Sequence, residues 1–161
     1  MQCNINPARR SLLLSAARSY LFNSNLSGRV RDRIWNAAID GDVMALAGSA
    51  STFASSRATT EELARRLNEF DLHVTGPLWG AGPPPVTGAA LQRELRLVEQ
   101  FPELCAGLAA HGLAHERRPL RARVEGFDAQ FVADAVIVEF SLARGVYATS
   151  VLRELMHPER A

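Results

Sequence analysis

The 161-residue chain carries 18 basic and 17 acidic residues, a net charge of +1, with 47% hydrophobic and 22% charged residues. These proportions exclude a disordered or fibrous chain, and the length allows one sizeable core or a small domain plus part of another, but not two full-size domains. Every basic residue is arginine, which excludes a Schiff-base lysine and a phosphate-loop lysine, and no apolar run approaches the ~18 residues needed to cross a bilayer.

A protein of the cytoplasm, without a membrane partner, is therefore expected. Cys3 and Cys105 fit no metal or redox spacing and read as free thiols. Residues 1–33 hold Arg9, Arg10, Arg18, Arg29, Arg31 and Arg33 against the single acid Asp32. That cluster suits a polyanion such as RNA, although composition alone favours a solvated face of an amphipathic helix.

In chain order, Asn6 as N-cap and Pro7 at the first helical position open a helix. Its apolar face runs through Leu13, Ala17, Tyr20 and Leu21, and helix, in one piece or two, is predicted to about Trp35. Residues 41–48 read as a short buried strand bounded by turn residues, with residues 51–54 as its hairpin partner. Thr59 to Glu62 matches a capping box, and Leu63, Leu67 and Phe70 continue at helical spacing. Residues 71–75 alternate as a strand, and the glycine- and proline-rich residues 76–88 predict a surface loop anchored by Leu78 and Trp79. Leu91, Leu95 and Val98 mark a helix, and Pro102 opens another that ends near Gly112. Residues 117–124, 127–132 and 135–142 suit strands, followed by a last helix from about Tyr147 to Met156. The predicted fold class is α+β, with mixed helices and short antiparallel strands.

No phosphate loop, GxSxG elbow or HExxH pair is present. His111 and His115 are four apart, but Gly112 lies between them and no third ligand is evident, so no metal site is assigned. Asp40 and Asp42 flank Gly41 and read as turn residues bonding local amides rather than as a catalytic pair. Trp35 and Trp79 read as core or loop anchors.

Four blocks carry a resemblance. Residues 10–23, RSLLLSAARSYLFN, resemble the SAxRSxLFN segment of the tRNA pseudouridine synthase D (TruD) family. Gly41, Asp42, Leu46, Gly48, Ser51 and Phe53 are similar to its GDxxxLxGxxSxF hairpin, and residues 75–80, TGPLWG, to its TGPLxG loop. Residues 140–155, FSLARGVYATSVLREL, resemble its closing FxLxxGxFATxVxREL segment, and the four blocks follow in the family's order.

The resemblance implies isomerisation of a uridine in tRNA, at position thirteen, to pseudouridine, with no cofactor. It places Tyr147 beside the target uridine, where a ring face packs on a base, with Arg144 and Arg153 as further substrate-binding residues. Arg9, Arg10 and Arg18 become the candidate RNA-binding residues. It also implies residues 1–118 as the family's insertion domain and residues 119–161 as the end of its catalytic domain. The family's catalytic aspartate sits in a GxKDxxA-like loop that these residues do not contain, so no catalytic residue is assigned. The expectation is a C-terminal portion, inactive alone, whose partners are tRNA and the missing N-terminal half. The alternative is a non-catalytic module binding RNA or a protein.

Overall fold

The structure, a computed structural model, describes residues 6–156, so Cys3 lies outside them. The chain divides between Arg121 and Ala122 into two units. The described residues are α+β, with all strand pairs of both sheets antiparallel.

The first unit opens with α1 (Pro7–Arg31), where the Ala8 amide donates to Asn6 Oδ1 at 2.9 Å. The helix stops at Arg31 rather than near Trp35 because Arg33 adopts φ 58°, a left-handed conformation that breaks the amide ladder. Its buried stripe also differs from the predicted face. Leu13 and Tyr20 are 52% and 53% exposed, whereas Leu21, Phe22, Asn25 and Arg29 are buried. The arginine-rich face is thus not wholly solvated.

Four strands follow, β1 (Val43–Leu46), β2 (Thr52–Ala54), β3 (Leu72–Leu78) and β4 (Glu116–Pro119), in the order β2-β1-β3-β4. The β1–β2 hairpin forms as predicted. Residues 76–78 do not belong to the predicted loop: Gly76, Pro77 and Leu78 pair with Arg118, Arg117 and Glu116. Packing explains Gly76, since a Cβ there would lie 2.7 Å from Leu120 Cδ2 and 3.0 Å from Phe22 Cε2. The strand predicted over 117–124 ends at Pro119.

Between the strands, α2 (Thr60–Asn68) starts at its predicted cap, with the Glu62 amide donating to Thr59 Oγ1 at 3.2 Å. Its buried Leu63 and Leu67 pack with Met44, Leu72, Val74, Phe22 and Leu120, each such aliphatic burial stabilising by roughly 1.5–3 kcal/mol. On the other face Val43 meets Val86 and Ala90 at the start of α3 (Gly88–Gln100). A third cluster joins Leu21, Trp79, Leu97, Cys105 and Leu108, tying α1 and α3 to α4 (Pro102–Ala110). Trp79 is buried, as an anchor should be, whereas Trp35 is half-exposed. Cys105 is a buried free thiol whose burial raises its pKa.

The second unit contains the hairpin β5 (Val124–Val132) and β6 (Ala135–Leu142), irregular between Glu125 and Asp128, followed by α5 (Ala148–Leu155). Phe127 and Phe140 stack with centroids 6.3 Å apart. Much apolar surface stays in water: Phe131 is 86% exposed, and Val136 and Ile137 are more than half exposed. A two-stranded hairpin cannot bury both of its faces.

Candidate functional site

A turn connects β6 to α5, closed by the Val146 amide donating to the Ala143 carbonyl at 3.2 Å, with Gly145 at φ 89°. Only glycine adopts that conformation without strain, so the chain reverses tightly and sets Tyr147 at the N-cap of α5. No side chain caps this helix, and the Tyr147 ring is 68% exposed. Arg144 lies in the same turn, exposed. Arg153 is in the last turn of α5, about 9 Å further along the axis at 1.5 Å per residue. Arg144 thus shares the turn that leads to Tyr147, whereas Arg153 lies at the other end of the helix. Among the described residues neither arginine forms an ion pair with Glu139 or Glu154.

The three arginines of α1 separate by environment. Arg9 is exposed. Arg10 is exposed but lies 2.8 Å from His111 Nδ1 through Nη2. Arg18 is largely buried: its Nη2 donates to the carbonyls of Leu78 and Ala114, each at 2.9 Å, and stands 3.3 Å from Glu116. Its guanidinium holds the end of β3 to the segment before β4, which leaves it little freedom to reach a phosphate.

Two buried ion pairs were not foreseen from the sequence. Arg29 and Asp42 form a two-point pair inside the first unit, and the Ile39 amide also donates to Asp42 Oδ2, at 2.8 Å. Asp42 does bond a local amide, as a turn aspartate should, but its main partner is a buried guanidinium. Arg117 Nη1 donates to both oxygens of Glu94, at 2.8 and 3.0 Å, while its Nε and Nη2 donate to Oγ1 and the carbonyl of Thr75. Burial raises the Glu94 pKa, opposed by the attraction of Arg117. Thr75 Oγ1 in turn donates to the Val43 carbonyl at 2.6 Å, so helix and sheet share one polar network. Helical phase puts Arg29 and Glu94 on the faces that carry the core residues Leu21 and Leu97, but nothing local to either residue names the partner that buries it.

His111 and His115 do not converge. His111 is exposed beside Arg10, whereas His115 packs edge-on against Trp79 with centroids 4.7 Å apart. Among the described residues no group of three or more histidine, cysteine or acidic side chains is arranged to hold a metal. No helix among them is long and apolar enough to cross a membrane.

Comparison with known proteins decides the family. The family model of tRNA pseudouridine synthase D (TruD) matches residues 4–155. The chain belongs to the TruD family. A TruD protein of Pseudomonas aeruginosa is 44% identical over 154 residues, covering 93% of this chain and 43% of the relative. One from Methylococcus capsulatus is 42% identical over 153 residues, covering 94% of this chain and again 43% of the relative. The chain therefore spans less than half the length of these TruD relatives. A solved structure described as a TruD protein from Methanosarcina mazei shares the fold, with a TM-score of 0.68 at 24% identity over 85% of this chain and 36% of that one. The TruD match runs through the Tyr147 turn and through α1.

Proposed function

We propose that this chain forms part of a tRNA pseudouridine synthase, contributing RNA contacts and the aromatic that packs on the target uridine, while the catalytic aspartate comes from polypeptide outside these residues. One observation carries the reading: within the TruD-matched span, an uncapped helix start presents a tyrosine ring to solvent beside Arg144. An exposed ring next to a cation suits a base removed from its stack.

In this reading the first unit corresponds to the family's insertion domain and the second to the closing part of its catalytic domain. The exposed apolar residues of β5 and β6 support that division, since strand edges and faces of this kind are covered in a complete sheet. The substrate is tRNA, the setting the cytoplasm, and the reaction needs one carboxylate against the uridine rather than a cofactor.

The test is reconstitution. The chain is incubated with unmodified tRNA transcript, alone and with the N-terminal part of the Pseudomonas aeruginosa relative, and pseudouridine is assayed chemically. Product only in the mixture is the expected result. Product from the chain alone would require a catalytic group among these residues and overturn the division of labour. RNA binding without product in either mixture would favour a non-catalytic module.

A further inference from the structure

The Val43 face of the first unit's sheet is covered by α3 only in part. Val86 and Ala90 pack on Val43 and Glu94 reaches Arg117, but Thr52 and Ala54 on the edge strand β2 stay exposed. A cleft of about 590 Å³ opens here, lined by Val43, Ala54, Pro85, Arg57, Arg117 and Glu116 among others, with Glu116 turned to Arg18 at 3.3 Å. That volume lies within the ~300–1,000 Å³ usual for small-molecule sites.

Two features give the cleft chemistry. Arg57, at the end of the single 3-10 turn after β2, is exposed and has no acidic partner among the described residues. Of the two arginines lining the cleft, Arg117 is held by Glu94, whereas Arg57 has no carboxylate partner among the described residues and is the cation open to a ligand. The second feature is the strand edge. The Leu46 amide donates to the Ser51 carbonyl and the Ser55 amide to the Asp42 carbonyl. By antiparallel alternation, the amides of Thr52 and Ala54 turn away from β1 and remain as free donors at the rim.

We propose that this cleft holds one nucleotide of an RNA strand, with the phosphate on Arg57 and the free β2 amides and the base against Val43, Ala54 and Pro85. The proposal rests on the RNA reading given above. A peptide adding to the edge is disfavoured by length, since β2 offers only three residues. A lone free guanidinium with backbone donors suits a phosphodiester.

The experiment measures binding of an unmodified tRNA transcript to the chain at several salt concentrations. The variants are Arg57→Glu, Arg65→Glu and Ala54→Phe, each checked by thermal unfolding. Arg65 is the charge control, being exposed and already paired with Glu69 at 2.7 Å. Arg57→Glu should weaken binding at least several-fold and lower the log–log salt slope by about 1, since one neutralised phosphate contributes ~0.9. Arg65→Glu should do much less. Ala54→Phe, at an exposed position, fills the cleft and should weaken binding with the salt slope kept. Equal effects of the two charge reversals, or full binding by folded Ala54→Phe, would overturn the nucleotide site while leaving the RNA reading intact. Failure of the wild-type chain to bind tRNA would remove both.

Discussion

Arg29 and Asp42 form a doubly hydrogen-bonded ion pair with both side chains essentially out of solvent, joining the last turns of α1 to the residue just before β1. Desolvating two charges costs more than the pair returns against apolar side chains of similar size, but removing one partner leaves the other buried and uncompensated. Asp42→Ala should therefore destabilise the chain by about 3–5 kcal/mol. The double variant Arg29→Met with Asp42→Leu should lose less than Asp42→Ala alone. Urea unfolding of the three proteins checks this, and a double variant no more stable than Asp42→Ala would mean that the cost does not come from leaving Arg29 unpaired.

The turn before β1 makes a second prediction. Gly41 has φ 79°, and a Cβ there would lie 2.0 Å from the Thr87 carbonyl oxygen. Gly48 has φ 69°, with nothing within 4 Å. Gly48→Ala should cost only the left-handed penalty, about 1–2 kcal/mol. Gly41→Ala adds a backbone clash and endangers the hydrogen bond from the Thr87 amide to the Gly41 carbonyl, so its midpoint in thermal unfolding should fall well below that of Gly48→Ala.

These two glycines show what could be read in the sequence. Caps and turns are local chemistry: Asn6, Thr59 and the Gly41 turn stand where their residue types predicted, because a side-chain acceptor or a positive φ is needed within a few residues. Gly76 was misread because the same residue serves close packing as readily as a turn, and only Leu120 and Phe22, distant in sequence, distinguish the two. Arg29 and Glu94 were illegible for the same reason. A charge on a helix looks solvated until the partner that buries it, Asp42 or Arg117, arrives from another element. At the candidate site the resemblance supplied Tyr147, but its exposure and the distance of Arg153 came from the structure.

Two histidines predict how stability depends on pH. Burial lowers the pKa of His73, with Arg121 acting in the same direction, and burial also lowers that of His115, helped by Arg117. Arg121 Nε donates to His73 Nδ1 at 3.2 Å, a bond that requires the neutral ring. Because both native values lie below the ordinary 6.5, the unfolded chain takes up protons that the native chain refuses. Their contribution is fully present above about 6.5 and is lost as the pH falls below it through the native values. Denaturation midpoints between pH 7 and 5 should therefore fall, and the fall should be shallower in His73→Gln with His115→Gln. An unchanged slope would place the titration elsewhere.

The α1 arginines divide into a structural and a surface class. Arg18→Ala deprives the Leu78 and Ala114 carbonyls of their donor, so it should lower stability by about 1–3 kcal/mol, with reduced tRNA binding appearing only as a consequence of unfolding. Arg9→Ala, at an exposed position, should leave the unfolding midpoint unchanged. If α1 contacts RNA phosphates, Arg9→Ala should flatten the salt dependence of tRNA binding. Thermal unfolding beside filter binding separates the two.

Tyr147 offers the sharpest distinction between a site residue and a packing residue. Its ring is 68% exposed, so removing it costs little buried area, and Tyr147→Ala should unfold within a few degrees of the parent. Its N-cap position makes no side-chain hydrogen bond to the helix, so alanine removes no cap either. Where the unfolding midpoint is kept, any loss of function comes from the missing ring. In a complete synthase carrying this segment, Tyr147→Phe should retain most of the activity, because the face that packs on a base remains. Tyr147→Ala should lose roughly 5- to 150-fold, the range expected when stacking worth about 1–3 kcal/mol per base is removed. Single-turnover pseudouridine formation on a tRNA transcript, measured alongside tRNA affinity, reads the difference. Equal rates for the phenylalanine and alanine variants would show that the exposed ring does not meet the uridine.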